Sequence, residues 1–228
     1  MFKLEVAGDT VELSAHRALY LPRHRTLVVA DLHWGKAATF RAKGVPVPPG
    51  VTASDLERLS AVLEETSPAK LVIVGDLSHA RAGRHERTLH AIANWRATHE
   101  DLEIVLVRGN HDTHAGDPPA SLHIKCIDGP LEVGPFACQH HPTAHASKYV
   151  LAGHLHPHVN LRGLGRQSLR LPCFAFCERG AILPAFTSFT GGGAYTPGDG
   201  DRVYAIVDNE IIPAPFADAR TRSPANRR

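Results

Sequence analysis

Three short apolar runs place the strongest constraint on how this chain can fold. They cover residues 26–30, 70–74 and 103–107. Segments with apolar residues at helical spacing lie between them, around 52–67 and 89–96. A strand–helix–strand–helix–strand order favours parallel pairing with right-handed crossovers. The first half therefore predicts an α/β architecture with parallel strands at its centre.

The second half of the chain has a different pattern, because short strand-like segments follow one another without a convincing helix. These segments are 121–127, 131–140, 149–153, 168–176, 181–187 and 202–212. This order favours an antiparallel second sheet packed on the first. We expect a single domain over residues 1–212, followed by a flexible basic C-terminal tail at 213–228.

Polar clusters directly follow five of the predicted strands. The clusters are Asp31-Leu32-His33, Gly75-Asp76, Gly109-Asn110-His111-Asp112, His140-His141-Pro142 and Gly153-His154-Leu155-His156. The chain has 16 histidines against 8 Phe and 4 Tyr, and many of these histidines fall in the clusters. Ligands of open α/β sheets bind beyond the carboxyl ends of the strands. We therefore predict that the five clusters meet in one site.

The clusters offer carboxylate, imidazole and amide donors and no thiolate. Such a donor set suits borderline-hard divalent ions such as Mn²⁺, Fe or Zn²⁺. Side chains two positions apart on extended backbone share a face. On such backbone Asp31 and His33 can therefore chelate together, as can His154 and His156. The composition of the site predicts metal binding.

Two metal ions account for the number of donors. The first ion is assigned Asp31, His33, Asp76 and His156. The second ion is assigned Asp76, Asn110, His140 and His154. Paired cations about 3.5–4 Å apart turn bound water into hydroxide and stabilise the attacking and leaving oxygens of a phosphoryl centre. Strand alternation lets only one of the adjacent residues His140 and His141 face such a centre, which leaves a choice between them.

Charge and hydropathy exclude several other classes of protein. The net charge is +2, so no global basic field indicates strong non-specific binding to nucleic acid. No apolar run approaches the roughly 18 residues of a membrane span, so no membrane partner is expected. The segment Met1–Glu5 lacks the apolar core of a signal peptide, which predicts a cytoplasmic protein. The four cysteines are expected to be reduced thiols.

The ordered motifs D-x-H, G-D, G-N-H-D, H and G-H-x-H over residues 31–156 resemble those of the calcineurin-like metallophosphoesterase superfamily. A narrower resemblance extends over nearly the whole chain, to the ligase-associated DNA damage response endonuclease family. It rests on the stretches 31–36, 40–41, 44–48, 153–157, 171–174, 183–186 and 189–192.

This resemblance implies a four-layer α/β/β/α sandwich with a mixed sheet packed on a mainly antiparallel sheet. It implies a binuclear site that prefers Mn²⁺, with Fe or Zn²⁺ as alternatives, in a phosphodiesterase and endonuclease acting on single-stranded or flexible DNA in DNA repair. It also makes His111 the general acid, lets Asp112 orient the His111 imidazole, and selects His140 over His141. The resemblance is consistent with a homodimer and with a functional link to a DNA ligase system.

Several alternatives stay open at this point. The same site chemistry serves a small phosphoester or a cyclic nucleotide, and the fold also occurs in non-catalytic binding modules. His79 either contacts the site or caps the loop after Asp76. Trp34 either stacks on a base or packs in the core. Three arginines, Arg162, Arg166 and Arg170, either grip phosphates or form a solvated basic face.

Overall fold

The computed structural model describes residues 1–83, 85–162 and 167–214. Within these ranges the chain forms fifteen strands and four α-helices. The strands are β1 (Phe2–Val6), β2 (Asp9–Ser14), β3 (Ala18–Leu21), β4 (Thr26–Val29), β5 (Lys70–Val74), β6 (Glu103–Val107), β7 (Ile124–Ile127), β8 (Leu131–Val133), β9 (Phe136–Gln139), β10 (Tyr149–Ala152), β11 (His158–Arg162), β12 (Ser168–Cys177), β13 (Gly180–Ile182), β14 (Arg202–Val207) and β15 (Glu210–Pro213). The α-helices are α1 (Lys36–Ala42), α2 (Val51–Thr66), α3 (Glu86–Ala97) and α4 (Asn110–Ala115).

Two sheets stack face to face. The first sheet has the order β1-β2-β3-β4-β5-β6-β7, antiparallel from β1 to β4 and parallel from β4 to β7. The second has the order β15-β14-β12-β13-β10-β9-β8, with β11 paired to β12. Only β9–β10 and β10–β13 pair in parallel within the described part of this second sheet. The predicted α/β fold, with a mixed sheet packed on a mainly antiparallel sheet, is confirmed.

Several details differ from the sequence prediction. The segment 121–127 contributes β7 to the first sheet, parallel to β6, and does not join the second sheet. The segment 131–140 divides into β8 and β9, because Gly134 turns the chain with φ +56°. Strands β3 and β11 and helix α4 were not predicted. Of the predicted tail, only Pro213 and Ala214 fall within the described residues, and Pro213 ends β15.

The central strands are continuous apolar runs because both of their faces are covered. Val28 and Val72 belong to the cluster between the two sheets, which also contains Phe174. Leu27, one position before Val28, packs instead in the cluster that contains Leu59 of α2. Alternate residues of one strand therefore serve two separate cores.

Trp34 is part of the core and does not line the mouth of a site. Its side chain is 6% exposed and lies in the cluster under α2 and α3. Its ring meets Trp95 edge to face, with centroids 6.3 Å apart. Of the two roles left open by the sequence, core packing is therefore the one that the structure supports.

The outer face of the second sheet carries a smaller apolar cluster. Val159 of β11, Cys173 of β12 and Val203 of β14 pack there, with Tyr195 against them. In the described ranges this face is covered by β11 and the Tyr195 segment, not by a helix. The cysteines are unpaired thiols, as expected. None of the helices described here combines the length and the apolarity of a membrane crossing.

Candidate metal centre

The predicted polar clusters meet at one edge of the sandwich. Strands β4, β5 and β6 are parallel neighbours in the first sheet, and β9 and β10 are parallel neighbours in the second. Parallel neighbours have their carboxyl ends on the same side. Each of these five strands runs directly into one of the clusters. The sheet topology therefore explains why residues far apart in sequence lie together.

Backbone hydrogen bonds join the loops that follow β4 and β5. The amide of Asp31 donates to the carbonyl of Gly75 at 3.2 Å, and that of His33 donates to the carbonyl of Asp76 at 2.8 Å. These bonds continue the parallel pairing of the two strands for a few residues past their ends. They fix Asp31, His33 and Asp76 relative to one another.

Hydrogen bonds at the same edge join the loops of the second sheet to one another and to the first sheet. Within the second sheet, the amide of Gly153, after β10, donates to the carbonyl of His140, after β9, at 3.1 Å. The amide of His154 donates across the sheets to Oδ2 of Asp31 at 2.9 Å. The Asp31 carboxylate therefore connects the loop of the first sheet to the ligand loop of the second.

Five of the seven predicted ligands have left-handed backbone, with φ between 47° and 69°. They are Asp31, His33, Asp76, His154 and His156. A non-glycine residue in this conformation costs on the order of 1–2 kcal/mol, and such strain clusters at functional sites. The expectation that extended backbone places Asp31 and His33 on one face was wrong, because β4 ends at Val29. Tight turns bring the two side chains together instead.

One group of donors lies around Asp31. The ligand atoms of Asp31, His33 and His156 all lie within 4.8 Å of one another. The Nε2 atoms of His33 and His156 are 3.4 Å apart, and Nε2 of His156 is 3.6 Å from Oδ2 of Asp31. These are the residues, with Asp76, that the sequence assigned to the first ion.

A second group of donors lies around His140. Its Nε2 is 2.9 Å from Oδ1 of Asn110, 3.1 Å from Nδ1 of His154 and 3.6 Å from Oδ1 of Asp76. Asp31, Asp76 and His140 again offer ligand atoms within 4.8 Å of one another, which joins the two groups. All seven predicted ligands therefore lie together, and their binding of metal stays a prediction.

His141 lies closer to the site than its sequence position suggested. Its ring centroid is 4.3 Å from that of His154, and it shares a candidate donor group with His140 and His154. The alternation argument does not apply here, because β9 ends at Gln139, before both histidines. His140 is buried and His141 is exposed, so His140 is the deeper of the two.

The buried charge of the site fits divalent cations. Asp31 is 0% exposed and Asp76 is 2% exposed. Within the described residues, Oδ1 of Asp31 and Nδ1 of His33 are buried without a hydrogen-bond partner. Burial and the nearby Asp31 carboxylate raise the pKa of Asp76. Burial also lowers the pKa of His33 to about 2, which keeps the imidazole neutral, as metal ligation requires.

Main-chain carbonyls fix the orientation of two predicted histidine ligands. Nδ1 of His156 donates to the carbonyl of Gly191 at 2.8 Å, and Nδ1 of His140 donates to the carbonyl of Val74 at 3.2 Å. A carbonyl oxygen only accepts, so Nδ1 carries a proton in both rings. Nε2 is therefore the nitrogen that each ring would offer to a cation.

The contacts of Asp112 differ from those expected. Its two carboxylate oxygens accept the amides of Ser78 at 3.1 Å and Gly109 at 3.0 Å. The His111 imidazole is oriented instead by the carbonyl of His79, which accepts from Nδ1 at 3.0 Å. Asp112 therefore fastens the start of α4, where His111 lies, to the loop after β5, because buried amides need an acceptor and its carboxylate supplies two.

His79 contacts the site, which was one of its two open roles. Its ring stacks on that of His111 with centroids 4.9 Å apart, and it meets His33 edge to face at 5.6 Å. His33, His79 and His111 offer ring nitrogens within 4.8 Å of one another. Burial lowers the pKa of His79 to about 4.

Lys36 is a site residue that the motif analysis did not assign a role. Its Nζ donates to Oγ1 of Thr190 at 2.6 Å, and Oγ1 of Thr190 is 3.2 Å from Nδ1 of His156. Burial lowers the pKa of Lys36, and the carboxylates of Asp31 and Asp76 act in the opposite direction. Its place inside the motif at 31–36 was the only signal in the sequence.

The three arginines left open by the sequence are described only in part. Arg166 and the side chain of Arg162 lie outside the described residues. Arg170 is exposed and donates to the carbonyl of Gly192. Arg170 therefore fixes the glycine-rich loop at Gly192. The neighbouring Gly191 of this loop accepts the hydrogen bond from His156.

Glycines let the donor loops approach one another closely. A Cβ atom at Gly153 would lie 2.5 Å from Oδ2 of Asp31 and 2.8 Å from Cβ of Ala30. A Cβ atom at Gly109 would collide with the Asp76 carboxylate. These positions require glycine because backbone and carboxylate occupy the space of a side chain.

Gly153→Ala is expected to lower turnover by roughly 100-fold, because it displaces the Asp31 carboxylate by a fraction of an ångström or more. Turnover of a phosphodiester and equilibrium metal content would measure the effect. Gly198→Ala is the matched control, since a Cβ atom there meets only Asp201, at the ordinary distance of 3.5 Å. Equal activity of the two variants would contradict this account of Gly153.

Comparison with known proteins identifies the family that the chain resembles. A family model described as Calcineurin-like phosphoesterase matches residues 24–133. No curated protein matches the chain. The crystal structure of Pseudomonas putida nuclease MPE is similar at 43% identity and a TM-score of 0.83, over 93% of this chain and 98% of that one. The structure of Yfce, a phosphoesterase from E. coli, is similar at 16% identity and a TM-score of 0.42, over 82% of this chain and 96% of that one.

Proposed function

The chain belongs to the calcineurin-like phosphoesterase family, and from this premise we propose that it is a binuclear metal-dependent phosphodiesterase that cuts DNA as an endonuclease. One observation carries the proposal. Seven carboxylate, imidazole and amide donors converge around two buried carboxylates at the carboxyl edge of both sheets. The similarity to a protein described as a nuclease supports a nucleic acid as the substrate class, and the motif resemblance to the ligase-associated endonuclease family supports DNA.

We assign the donors to two divalent ions, with Mn²⁺ preferred and Fe or Zn²⁺ as alternatives. Asp31, His33, Asp76 and His156 hold the first ion. Asp76, Asn110, His140 and His154 hold the second. When bound, such ions activate water and stabilise negative charge on a phosphoryl group. Oδ1 of Asp31 has no hydrogen-bond partner among the described residues, and burial keeps His33 neutral, so both atoms suit the role of ligand.

The proposed general acid is His111. Its Nδ1 is committed to the His79 carbonyl, so its Nε2 faces the site, 4.0 Å from Oδ2 of Asp76. A protonated Nε2 at this place would deliver its proton to the departing oxygen. Asp112 acts as a positioning residue, because its carboxylate fastens the start of α4, where His111 lies, to the loop after β5.

We further propose that the protein acts in DNA repair in the cytoplasm, in functional association with a DNA ligase system and as a homodimer of single-domain chains spanning 1–212. The support for this setting is the motif resemblance to the ligase-associated endonuclease family. Single-stranded or flexible DNA is the proposed form of the substrate.

The test is cleavage of circular single-stranded DNA by the full chain with Mn²⁺, beside hydrolysis of bis(4-nitrophenyl) phosphate. Nicking of the circle requires an endonuclease, so it would support the proposal. Hydrolysis of the small ester without any cleavage of DNA would favour the small-phosphoester alternative. Metal analysis of the loaded protein should give two ions per chain. Full activity after metal removal would contradict the proposal.

A further inference from the structure

An aromatic wall stands beside the candidate metal centre, outside the set of predicted ligands. It consists of Phe40 from α1, Phe189 from the loop after β13, and His79. Phe40 and Phe189 meet edge to face with centroids 5.6 Å apart, and the Phe40 ring is 6.1 Å from that of His79. The wall therefore begins at the site and extends away from it.

The two phenylalanines are not core residues. Both are half-buried, whereas Phe136 and Phe174 between the sheets are 0% exposed. Neither Phe40 nor Phe189 belongs to an apolar core cluster of the described residues. These two half-buried rings therefore contact each other beside a polar centre and lie outside the described apolar cores.

A cation, Lys36, lies near both the wall and the predicted metal ligands. Lys36 and Phe40 are four positions apart on α1 and therefore project from the same side of the helix. Lys36 donates to Thr190, the residue after Phe189, and Thr190 contacts His156. The Thr190 hydroxyl therefore lies beside His156, and the Lys36 ammonium group lies beside that hydroxyl. Phe40 and Phe189 belong to the same two segments, so groups suited to a phosphate lie near rings suited to a nucleobase.

We infer that Phe40 and Phe189 form a subsite for the nucleobase next to the scissile phosphate, with Lys36 facing an oxygen of the same backbone. This inference rests on the proposed function and describes how the candidate metal centre would hold a nucleotide. Base stacking on aromatic side chains tolerates every base, because each base has a π-face. The subsite therefore selects nucleotides over other phosphoesters without reading sequence. The buried Trp34 cannot play this part.

Two oligonucleotides of equal length test the subsite, one of thymidine and one with abasic sugars at every position. With the full chain and Mn²⁺, Phe40→Leu and Phe189→Leu should each raise KM for the thymidine strand by about 10-fold, while kcat changes by less than about 3-fold. On the abasic strand both variants should equal the unmodified protein. Phe40→Trp should keep KM for the thymidine strand close to that of the unmodified protein, because an indole ring also stacks on a base.

The matched control is Phe2→Leu, because Phe2 packs on Tyr204 in another part of the molecule and should leave both KM values unchanged. Equal losses on the two strands would show a structural defect and overturn the subsite. Unchanged KM in both wall variants would overturn it as well. Failure of the unmodified protein to cut either strand would overturn the proposed function together with this inference, so the two failures are distinguishable.

Discussion

Asp76→Asn is expected to lower phosphodiester turnover by at least about 1,000-fold while the fold is retained. Asp76 is the donor assigned to both ions, so loss of its charge weakens both sites, and metal-ion catalysis contributes several kcal/mol of transition-state stabilisation. Asparagine keeps an oxygen at the Oδ1 position, which accepts the amide of His111 at 2.9 Å. Hydrolysis of bis(4-nitrophenyl) phosphate with Mn²⁺ and equilibrium metal content are the measurements.

Thermal unfolding separates loss of metal from loss of fold in this variant. The buried carboxylates of Asp31 and Asp76 repel one another, and burial raises the pKa of Asp76. The metal-free variant should therefore be at least as stable as the metal-free parent. Mn²⁺ should raise the Tm of the parent much more than that of the variant, because a ligand stabilises the state that binds it.

The matched control is Asp128→Asn. The Asp128 side chain is 87% exposed and pairs only with Arg108 in the contacts described, so neither turnover nor metal content should change. Two tightly held ions in the Asp76 variant, or turnover within about 10-fold of the parent, would contradict the assignment of Asp76.

The parallel core of the fold and the location of the site were predictable from sequence, because both depend on local pattern. Strands β4, β5 and β6 are apolar on both faces, which marks them as central. Polar residues directly after such strands must lie at the carboxyl edge. That rule alone predicts that Asp31, Asp76 and Asn110 lie together.

The turns that create the site were not predictable from residue types. Asp and His adopt left-handed backbone more often than other non-glycine residues, but residue type alone does not specify it at Asp31 or His156, since only glycine adopts it without cost. The conformation is imposed by hydrogen bonds between loops, such as that from the His33 amide to the Asp76 carbonyl. These are contacts between distant segments, which a local pattern does not encode.

Contacts that use backbone atoms were also invisible in the sequence. The carbonyl of His79 orients His111, where the expected partner was the Asp112 side chain. Every residue has a carbonyl, so no residue type signals this role. The contact of Lys36 with Thr190 likewise joins residues 154 positions apart and depends on the packing of α1 against the loop after β13.

His111→Ala is expected to lower the cleavage of DNA by about 100- to 10,000-fold, the usual contribution of a general acid. The departing sugar oxygen of DNA is strongly basic and needs a proton as the P–O bond breaks. A nitrophenolate leaves without one, so hydrolysis of bis(4-nitrophenyl) phosphate should fall by less than about 10-fold. The comparison of kcat on the two substrates is the measurement.

A backbone hydrogen bond to Asp76 makes this comparison specific for proton transfer. The Asp76 carboxylate is held by the backbone amide of residue 111, which alanine retains, so the metal ligands should stay in place. His90→Ala, at an exposed position of α3, is the matched control and should leave both rates unchanged. If His111 only shaped the site, both substrates would lose rate equally. A loss confined to the substrate with the basic leaving group would place the transferred proton on Nε2 of His111. This is the nitrogen that faces the site while Nδ1 donates to the His79 carbonyl.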